Sequence, residues 1–378
     1  MAARAVSAPT LGFLQSPYGG GMERIMAERI LMKGNEAIAE AAIRAGCLHY
    51  FGYPITPQTE IAAYMAKKMP KIGGVFLQAE SEIASINMVY GAAAAGMRVM
   101  TSSSSPGISL KAEGLSYIAG SDVPALVVNV QRGGPGLGGI QPSQSDYFQA
   151  TKGGGHGDYR MIVLAPASVQ EMASLTMKGF DLADQYCITS MILADGTIGQ
   201  MMEPITFEDC EPKVFEKPWA LTGTECKRPH NVVNSLYLKP DELEKKNFER
   251  FQKYAEIEKK EAMWEEYMMD DADICVVAFG IASRIAKNAV AEARKAGIKV
   301  GLIRPITLWP FPTKALRAAV DRVKSFISVE LSMGQMIEDV KLATESKRPV
   351  TLCNRAGGMI PTPDEVLSAI RKAEKGEF

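Results

Sequence analysis

Apolar and polar positions along the chain follow two rhythms, and the switches between them mark out the elements. From residue 34 to about 200, apolar runs of strand length take turns with helical patterns. Gly34-Asn35-Glu36 opens a helix with Asn35 as the predicted N-cap, and Gly46 stands where that helix should end. Val75–Leu77 reads as a short strand, ahead of an Ala-rich helix from about Ser81 to Ala95. A strand near Arg98–Ser102, a helix near Leu110–Ala119 and a β-rich run at Ala125–Val130 follow. Arg160–Leu164 predicts a strand, Val169–Asp184 a helix and Ile188–Leu193 another strand. Strict alternation of this kind predicts a parallel sheet covered by helices on both faces.

Residues 201–270 break the rhythm. Pro204, Pro212, Pro218, Pro229 and Pro240 punctuate a loop-rich stretch, and a charged helical segment runs from Asp241 to about Tyr267. Its charges are of mixed sign, as on a solvated helix. A second, smaller α/β unit is expected over 271–378, with strands at Ile274–Phe279, Lys299–Arg304, Phe326–Glu330 and Val350–Asn354. The predicted helices between and after them cover Ser283–Ala296, Thr313–Val323, Met336–Ala343 and Pro363–Ala373. A small open doubly wound sheet is the expected outcome. Residues 1–28 are read as a flexible N-terminal extension, rich in Ala, Ser, Pro and Gly, and the first large unit as 29–200.

Charge and cysteines narrow the class. Lys+Arg number 42 against 43 Asp+Glu, so nothing favours a nucleic-acid partner. No stretch approaches the roughly 20 apolar residues of a membrane helix. Cys47, Cys187, Cys210, Cys226, Cys275 and Cys353 form no C-x-x-C pair and no cluster of zinc or iron–sulfur spacing. They are expected to be reduced packing residues of a cytoplasmic protein.

Three segments carry polar residues that packing alone does not demand. In Gly52-Tyr53-Pro54-Ile55-Thr56-Pro57-Gln58-Thr59, two prolines stiffen a turn around Thr56. A plain strand-to-helix connection with Thr59 as N-cap would look the same. In Gln78-Ala79-Glu80-Ser81-Glu82, a carboxylate stands at the head of a small-residue helix that can pack closely. Burial there is costly without partners, although a helix N-terminus attracts Glu for its dipole alone. Periodicity does not choose between Glu80 and Glu82. In Asn129-Val130-Gln131-Arg132-Gly133-Gly134, Arg132 follows a buried strand, at the end where open parallel sheets bind ligands. Its planar fork suits a carboxylate or carbonyl oxygen. Thr101–Ser105 with Pro106-Gly107, and the Gly153–Asp158 loop with His156, add further polar segments. His156 reads as a loop-fixing residue more readily than as a general base.

Together, and in this order, these segments resemble the pyruvate:ferredoxin oxidoreductase superfamily, specifically the alpha subunits of its multi-subunit 2-oxoacid branch. The resemblance runs from about Met32 to the end of the chain. It implies a pyrimidine-type thiamine-diphosphate-binding domain over 29–200 and a transketolase C-terminal-like domain from about 271. It places Glu82 against the aminopyrimidine ring, favouring the imino tautomer that deprotonates the thiazolium carbon. Pro54 and Ile55 would touch the cofactor, while Thr56 and Arg132 would bind the 2-oxoacid. The family's Gly-Asp-Gly and Asn pattern for magnesium is met only by Ala194-Asp195-Gly196, with no Asn before Asn231. The resemblance therefore implies a beta subunit holding the diphosphate and Mg2+, [4Fe-4S] clusters on partner chains, and small gamma and ferredoxin-like delta subunits. Ferredoxin would take the electrons and coenzyme A the acyl group. Gln141–Tyr147 and Ser102–Gly107 look most like the 2-oxoisovalerate type. A 2-oxoglutarate subunit, or a ferredoxin-independent transketolase or E1-like subunit, stands as the alternative.

Overall fold

A computed structural model describes residues 29–207 and 211–378; the expected N-terminal extension and Cys210 lie outside the described residues. The strands run in chain order β1 (Ile30–Lys33), β2 (His49–Gly52), β3 (Val75–Gln78), β4 (Val99–Ser103), β5 (Ala125–Gln131), β6 (Ile162–Leu164) and β7 (Thr189–Asp195). Then come β8 (Met202–Ile205), β9 (Trp264–Tyr267), β10 (Ile274–Ala278), β11 (Val300–Pro305), β12 (Thr307–Trp309), β13 (Ser325–Glu330) and β14 (Val350–Asn354). The larger sheet has the order β12-β6-β7-β5-β4-β2-β3, parallel throughout except for β12, which pairs antiparallel with β6. The smaller has the order β14-β13-β10-β11-β9, parallel except for β9. β1 and β8 form a separate antiparallel pair.

The central strands explain why the sequence reads as near-continuous apolar runs. β4, β5 and β7 are buried along their whole length because helices cover both faces. Apart from Thr189 and Ser190 at the start of β7, their polar residues lie toward the carboxyl ends, at Ser102, Ser103, Asn129, Gln131 and Asp195 among others. Helix Glu82–Ala94 packs closely on helix Ser105–Gly120. Gly114 makes this approach achievable, since a Cβ there would lie 2.4 Å from Ile86 Cγ2. One apolar core runs without interruption through both sheets, from Ile38 by way of Ile192 to Val340.

Several elements differ from expectation. Asn35 is not the N-cap of the first helix. Lys33 holds that position, and Asn35 is buried inside the first turn with its amide donating to Pro57 O and Glu60 Oε2, both at 2.8 Å. Gln58, not Thr59, precedes the next helix. The charged helix stops at Lys260, and Trp264–Tyr267, inside the expected linker, is instead an edge strand of the smaller sheet. The reason is tertiary: Met263 N–H donates to Thr307 Oγ1, and Met263 O accepts from Ile306 and Thr307 N–H. That exchange satisfies the backbone a helix would otherwise have to pair. β12, from the smaller unit, lies on the edge of the larger sheet. Arg304 reinforces the join, with two bonds to Glu171 at 2.7 and 2.8 Å and one to Glu265 at 2.8 Å.

Candidate active site

The carboxyl ends of β3, β2, β4, β5 and β7 lie side by side, and the turns that follow them form one edge. Each strand delivers one of the segments read from the sequence. His156 does not join them; it is exposed in the loop leading into β6, where its carbonyl accepts from Ser116 Oγ at 2.6 Å.

After β3, Ser81 caps helix Glu82–Ala94, its Oγ accepting from Ala84 N–H at 3.1 Å. The cap fixes the first turn and turns Glu82 inward to 6% exposure, while Glu80 stays in solvent. Periodicity left the two carboxylates open; burial separates them. No hydrogen bond or ion pair is made by the Glu82 carboxylate among the described residues. Space for it comes from Gly107, where a Cβ would stand 2.7 Å from Glu82 Oε1 and 2.1 Å from Ser103 Oγ. Thr101, Ser103 and Ser104 bring buried hydroxyls without partners to the same strand end. Buried polar atoms left in this state need a partner from outside the chain to be satisfied.

Lys111 was not singled out in the sequence, yet it lies against this turn. It is fully buried. Its ammonium donates to Ser85 Oγ and to the Glu82 carbonyl oxygen (3.4 Å), and Ser85 Oγ donates to that same carbonyl at 2.9 Å. Burial pushes the ammonium down to about 8, with the nearby Glu82 charge opposing the shift. The signal for it was the i, i+4, i+7 spacing of Gly107, Lys111 and Gly114, which sets the lysine on the face that approaches the neighbouring helix.

The turn after β2 is rigid for reasons beyond its prolines. Tyr50 hydroxyl donates to Ser102 Oγ at 2.7 Å, which donates to Gln58 Oε1 at 2.6 Å. The Gln58 amide in turn holds Tyr53 O at 3.2 Å, and Asn35 holds Pro57 O from below. Pro54 and Thr56 are exposed on the turn, with Ile55 half-buried between them. Arg132, following β5, reaches across: Nη1 donates to Thr56 O and Nη2 to Leu137 O, both at 3.1 Å. The fork expected to take a ligand is thus partly used on backbone. Its Nε–H is buried without a partner. Gly138 closes the loop beside it with φ 57°, and a Cβ there would meet Gly133 O at 1.8 Å, so only glycine fits.

Asp146 ties the strand ends together. Its Oδ2 accepts from Ser105 Oγ at 2.6 Å and Asn129 Nδ2 at 2.9 Å. Burial raises its carboxyl above the usual range, and those two bonds oppose the shift. Beside it a cavity of about 380 Å3 opens between the two sheets, lined by Ser105, Gly133, Gly134, Asp146, Leu331 and Gln335 among others. Gln141–Tyr147, which the resemblance tied to substrate type, forms the junction of the two units. Gln144 bonds Leu331 through both its backbone N–H (2.9 Å) and Oε1 (3.0 Å), and Tyr147 hydroxyl donates to Asp339.

Asp195, in the nearest match to a magnesium segment, is fully committed elsewhere. Oδ1 accepts from Thr197 and Ile198 N–H at 3.0 and 3.1 Å, and Oδ2 from Ile281 N–H at 3.1 Å. It caps a short helix and fastens the second unit to the first. No group of three or more His, Cys, Asp or Glu among the described residues is placed to hold a metal ion. The residues present therefore fit the pyrimidine half of a thiamine site, through Glu82, and offer no set of ligands for its diphosphate-bound metal. Of the cysteines, Cys47 and Cys275 are buried; burial pushes the Cys47 thiol up to about 12 and raises that of Cys275 as well. No helix among the described residues is long and apolar enough to cross a membrane.

Comparison with known proteins agrees with this geometry. Residues 40–269 match the family model described as pyruvate flavodoxin/ferredoxin oxidoreductase, thiamine diphosphate-binding, and residues 272–366 match pyruvate:ferredoxin oxidoreductase core domain II. The chain is 53% identical over 345 residues to the ketoisovalerate oxidoreductase subunit VorB of Methanothermobacter marburgensis, covering 90% of this chain and 97% of the relative. It is 36% identical over 380 residues to the 2-oxoglutarate synthase subunit KorA of Methanothermobacter thermautotrophicus, covering 93% and 100%. Among solved structures, the 2-oxoglutarate:ferredoxin oxidoreductase from Magnetococcus marinus, with 2-oxoglutarate, coenzyme A and succinyl-CoA bound, aligns with a TM-score of 0.83. That alignment has 30% identity and covers 95% of this chain and 67% of that one.

Proposed function

We infer the reaction from the family, for the chain belongs to the pyruvate flavodoxin/ferredoxin oxidoreductases, thiamine-diphosphate-dependent enzymes that act on 2-oxoacids. Our reading is that it is the alpha subunit of a 2-oxoisovalerate:ferredoxin oxidoreductase. The reaction joins loss of carbon dioxide to formation of the branched acyl-CoA, with two electrons delivered to ferredoxin. The observation that carries the reading is the buried, unpartnered Glu82 carboxylate at the end of β3, facing the same edge as Thr56 and Arg132.

When bound, thiamine diphosphate supplies a nucleophilic carbon and an electron sink. This chain's residues do the rest on their side. Glu82 would hold a proton between its carboxylate and the bound pyrimidine, a hydrogen bond that gains strength where water is excluded. Pro54 and Ile55 would supply apolar contact to the ring. Arg132 offers its unpaired Nε–H and its charge to the substrate carboxylate or keto oxygen, and Thr56 adds a hydroxyl from the turn that Arg132 itself braces. With Asp195 used as a cap, the diphosphate and Mg2+ are assigned to a beta subunit, and the [4Fe-4S] clusters to partner chains that include gamma and delta subunits. Coenzyme A enters as co-substrate, and the assembly works in the cytoplasm.

The greater identity to the ketoisovalerate subunit than to the 2-oxoglutarate subunit supports the branched substrate. The test is ferredoxin reduction by the purified complex over a panel of 2-oxoacids with coenzyme A, for wild type and Glu82→Gln. Highest kcat/KM on 2-oxoisovalerate, with activity lost in the variant while the subunits still co-purify, is expected. Preference for 2-oxoglutarate would reassign the substrate, and an active Glu82→Gln complex would remove Glu82 from its role.

A further inference from the structure

Helix Ser105–Gly120 carries one buried charge, and that charge has no carboxylate within ion-pair distance. An ammonium has three protons to donate. Lys111 has two acceptors among the described residues, Ser85 Oγ and the Glu82 carbonyl, and both are neutral. Neutral oxygens alone do not offset the removal of an ammonium from water. A lysine with no exposure needs a further reason to be retained there, and the one charged group whose field reaches it is Glu82. The contacts also converge on a single turn: the lysine and Ser85 both bind the carbonyl of the residue whose side chain faces the site. Gly107 and Gly114, one turn to either side of Lys111, bring the two helices close enough for this reach.

We propose that Lys111 is the positioning residue of Glu82, an internal counter-charge that fixes the first turn of helix Glu82–Ala94 and holds the carboxylate toward the cofactor ring. The assignment rests on the reading of Glu82 given above. Lys111 touches neither substrate nor cofactor and acts only through Glu82. Its charge balances the carboxylate while the site is dry, and its bonds to the turn keep that carboxylate from swinging toward solvent. Titration of Lys111 faces Glu82 on the adjoining helix, while Ser85 and the strand-end hydroxyls around it are neutral.

The experiment compares Lys111→Met, Glu82→Gln and the double variant in the complex with its partner subunits. Thermal unfolding and the pH profile of 2-oxoacid-dependent ferredoxin reduction are both read. Lys111→Met should assemble, lose kcat by about tenfold or more with KM changed by less than about twofold, and lack the alkaline limb near pH 8 that is expected of wild type. The double variant should melt at a higher temperature than additive losses from the two singles allow, since neither charge is then left without its opposite. Wild-type kcat in Lys111→Met, or strictly additive melting shifts, would overturn the proposal. An active Glu82→Gln complex would overturn the reading of Glu82 itself, which separates the two failures. If Lys111→Met does not assemble, Lys111→Gln, which keeps a donor to Ser85 but removes the charge, takes its place with the same criteria.

Discussion

Gly107→Ala tests the site without removing any of its functional groups. The added methyl would stand 2.7 Å from Glu82 Oε1 and 2.1 Å from Ser103 Oγ, where ordinary contact begins at 3.4 Å. The carboxylate oxygen must therefore retreat by about 0.7 Å and the hydroxyl by about 1.3 Å, or the helix must shift. Gly107 lies in an ordinary helical conformation, so alanine itself is welcome to the backbone and gains about 1 kcal/mol in propensity. Overpacking costs about 1–3 kcal/mol, leaving a net stability loss of no more than about 2 kcal/mol. The chemistry is less forgiving. A misplacement approaching 1 Å costs on the order of 100-fold, or about 2.7 kcal/mol of barrier. Carbon dioxide release from 2-oxoisovalerate and ferredoxin reduction by the reconstituted complex should both fall by that factor, with the stability lowered by no more than that net loss. Gly179→Ala, on helix Val169–Tyr186 and against Leu126, is the control: it should lower stability and spare kcat. A Gly107→Ala complex that folds and keeps kcat within about threefold of wild type would refute the assignment of this space to a working carboxylate.

Other outcomes follow from the same contacts. Burial lowers the Lys111 ammonium from 10.5 to about 8, so below that pH both folded and unfolded chains keep the proton and the burial penalty is fully present. Between about pH 8 and 10.5 the unfolded chain holds more protons, and wild type should gain on the order of 3 kcal/mol relative to Lys111→Met. Urea midpoints of the two proteins across that range would show it, and a constant difference would contradict it. Arg132→Ala should raise KM for the 2-oxoacid by about 10–100-fold through a lost charge-assisted contact, and Arg132→Lys should not rescue it, because a lysine cannot brace Thr56 and Leu137 at once. Initial-rate kinetics decide both. Arg304→Ala should cost about 2 kcal/mol by urea unfolding, less than a fully buried pair would, because Glu171 and Glu265 retain partial contact with water.

Much of the architecture is legible in the sequence because period and burial coincide. β5 and β7 read as apolar runs because both of their faces are covered, and Arg132 falls at a strand end where the run stops. Failures have a common cause, which is that a distant segment completes a local one. Met263 leaves the helical pattern only because Ile306 and Thr307 complete its backbone bonds. Asn35 looks like a cap, but the helix already starts at Gly34, after Lys33, and the Asn35 amide nitrogen is turned to Pro57 and Glu60 while its Oδ1 caps nothing. Gln141–Tyr147 looks like the 2-oxoisovalerate type, as the relatives bear out, but its bonds to Leu331, Phe279 and Asp339, which join the two units, are not legible in the sequence. Glu80 and Glu82 are equivalent in any period-based reading, and only the Ser81 cap, which sets where the helix begins, separates them. Lys111 is hidden for the opposite reason: a lysine in a helix is normally assigned to solvent, and only its spacing from Gly107 and Gly114 contradicts this.

The strand that the smaller unit lends to the larger sheet has a mechanical meaning. With β12 hydrogen-bonded along β6, the chain is laced rather than jointed, and no pivot can sit in the segment between the two sheets without tearing a ladder. Cutting the gene near residue 270 would leave a raw β-edge on each fragment, β6 without β12 on one and β11 without β9 on the other, both ready to pair with whatever strand they meet. Any opening of one sheet against the other would have to break that ladder first, and with it the Arg304 bonds to Glu171 and Glu265 that lie beside it.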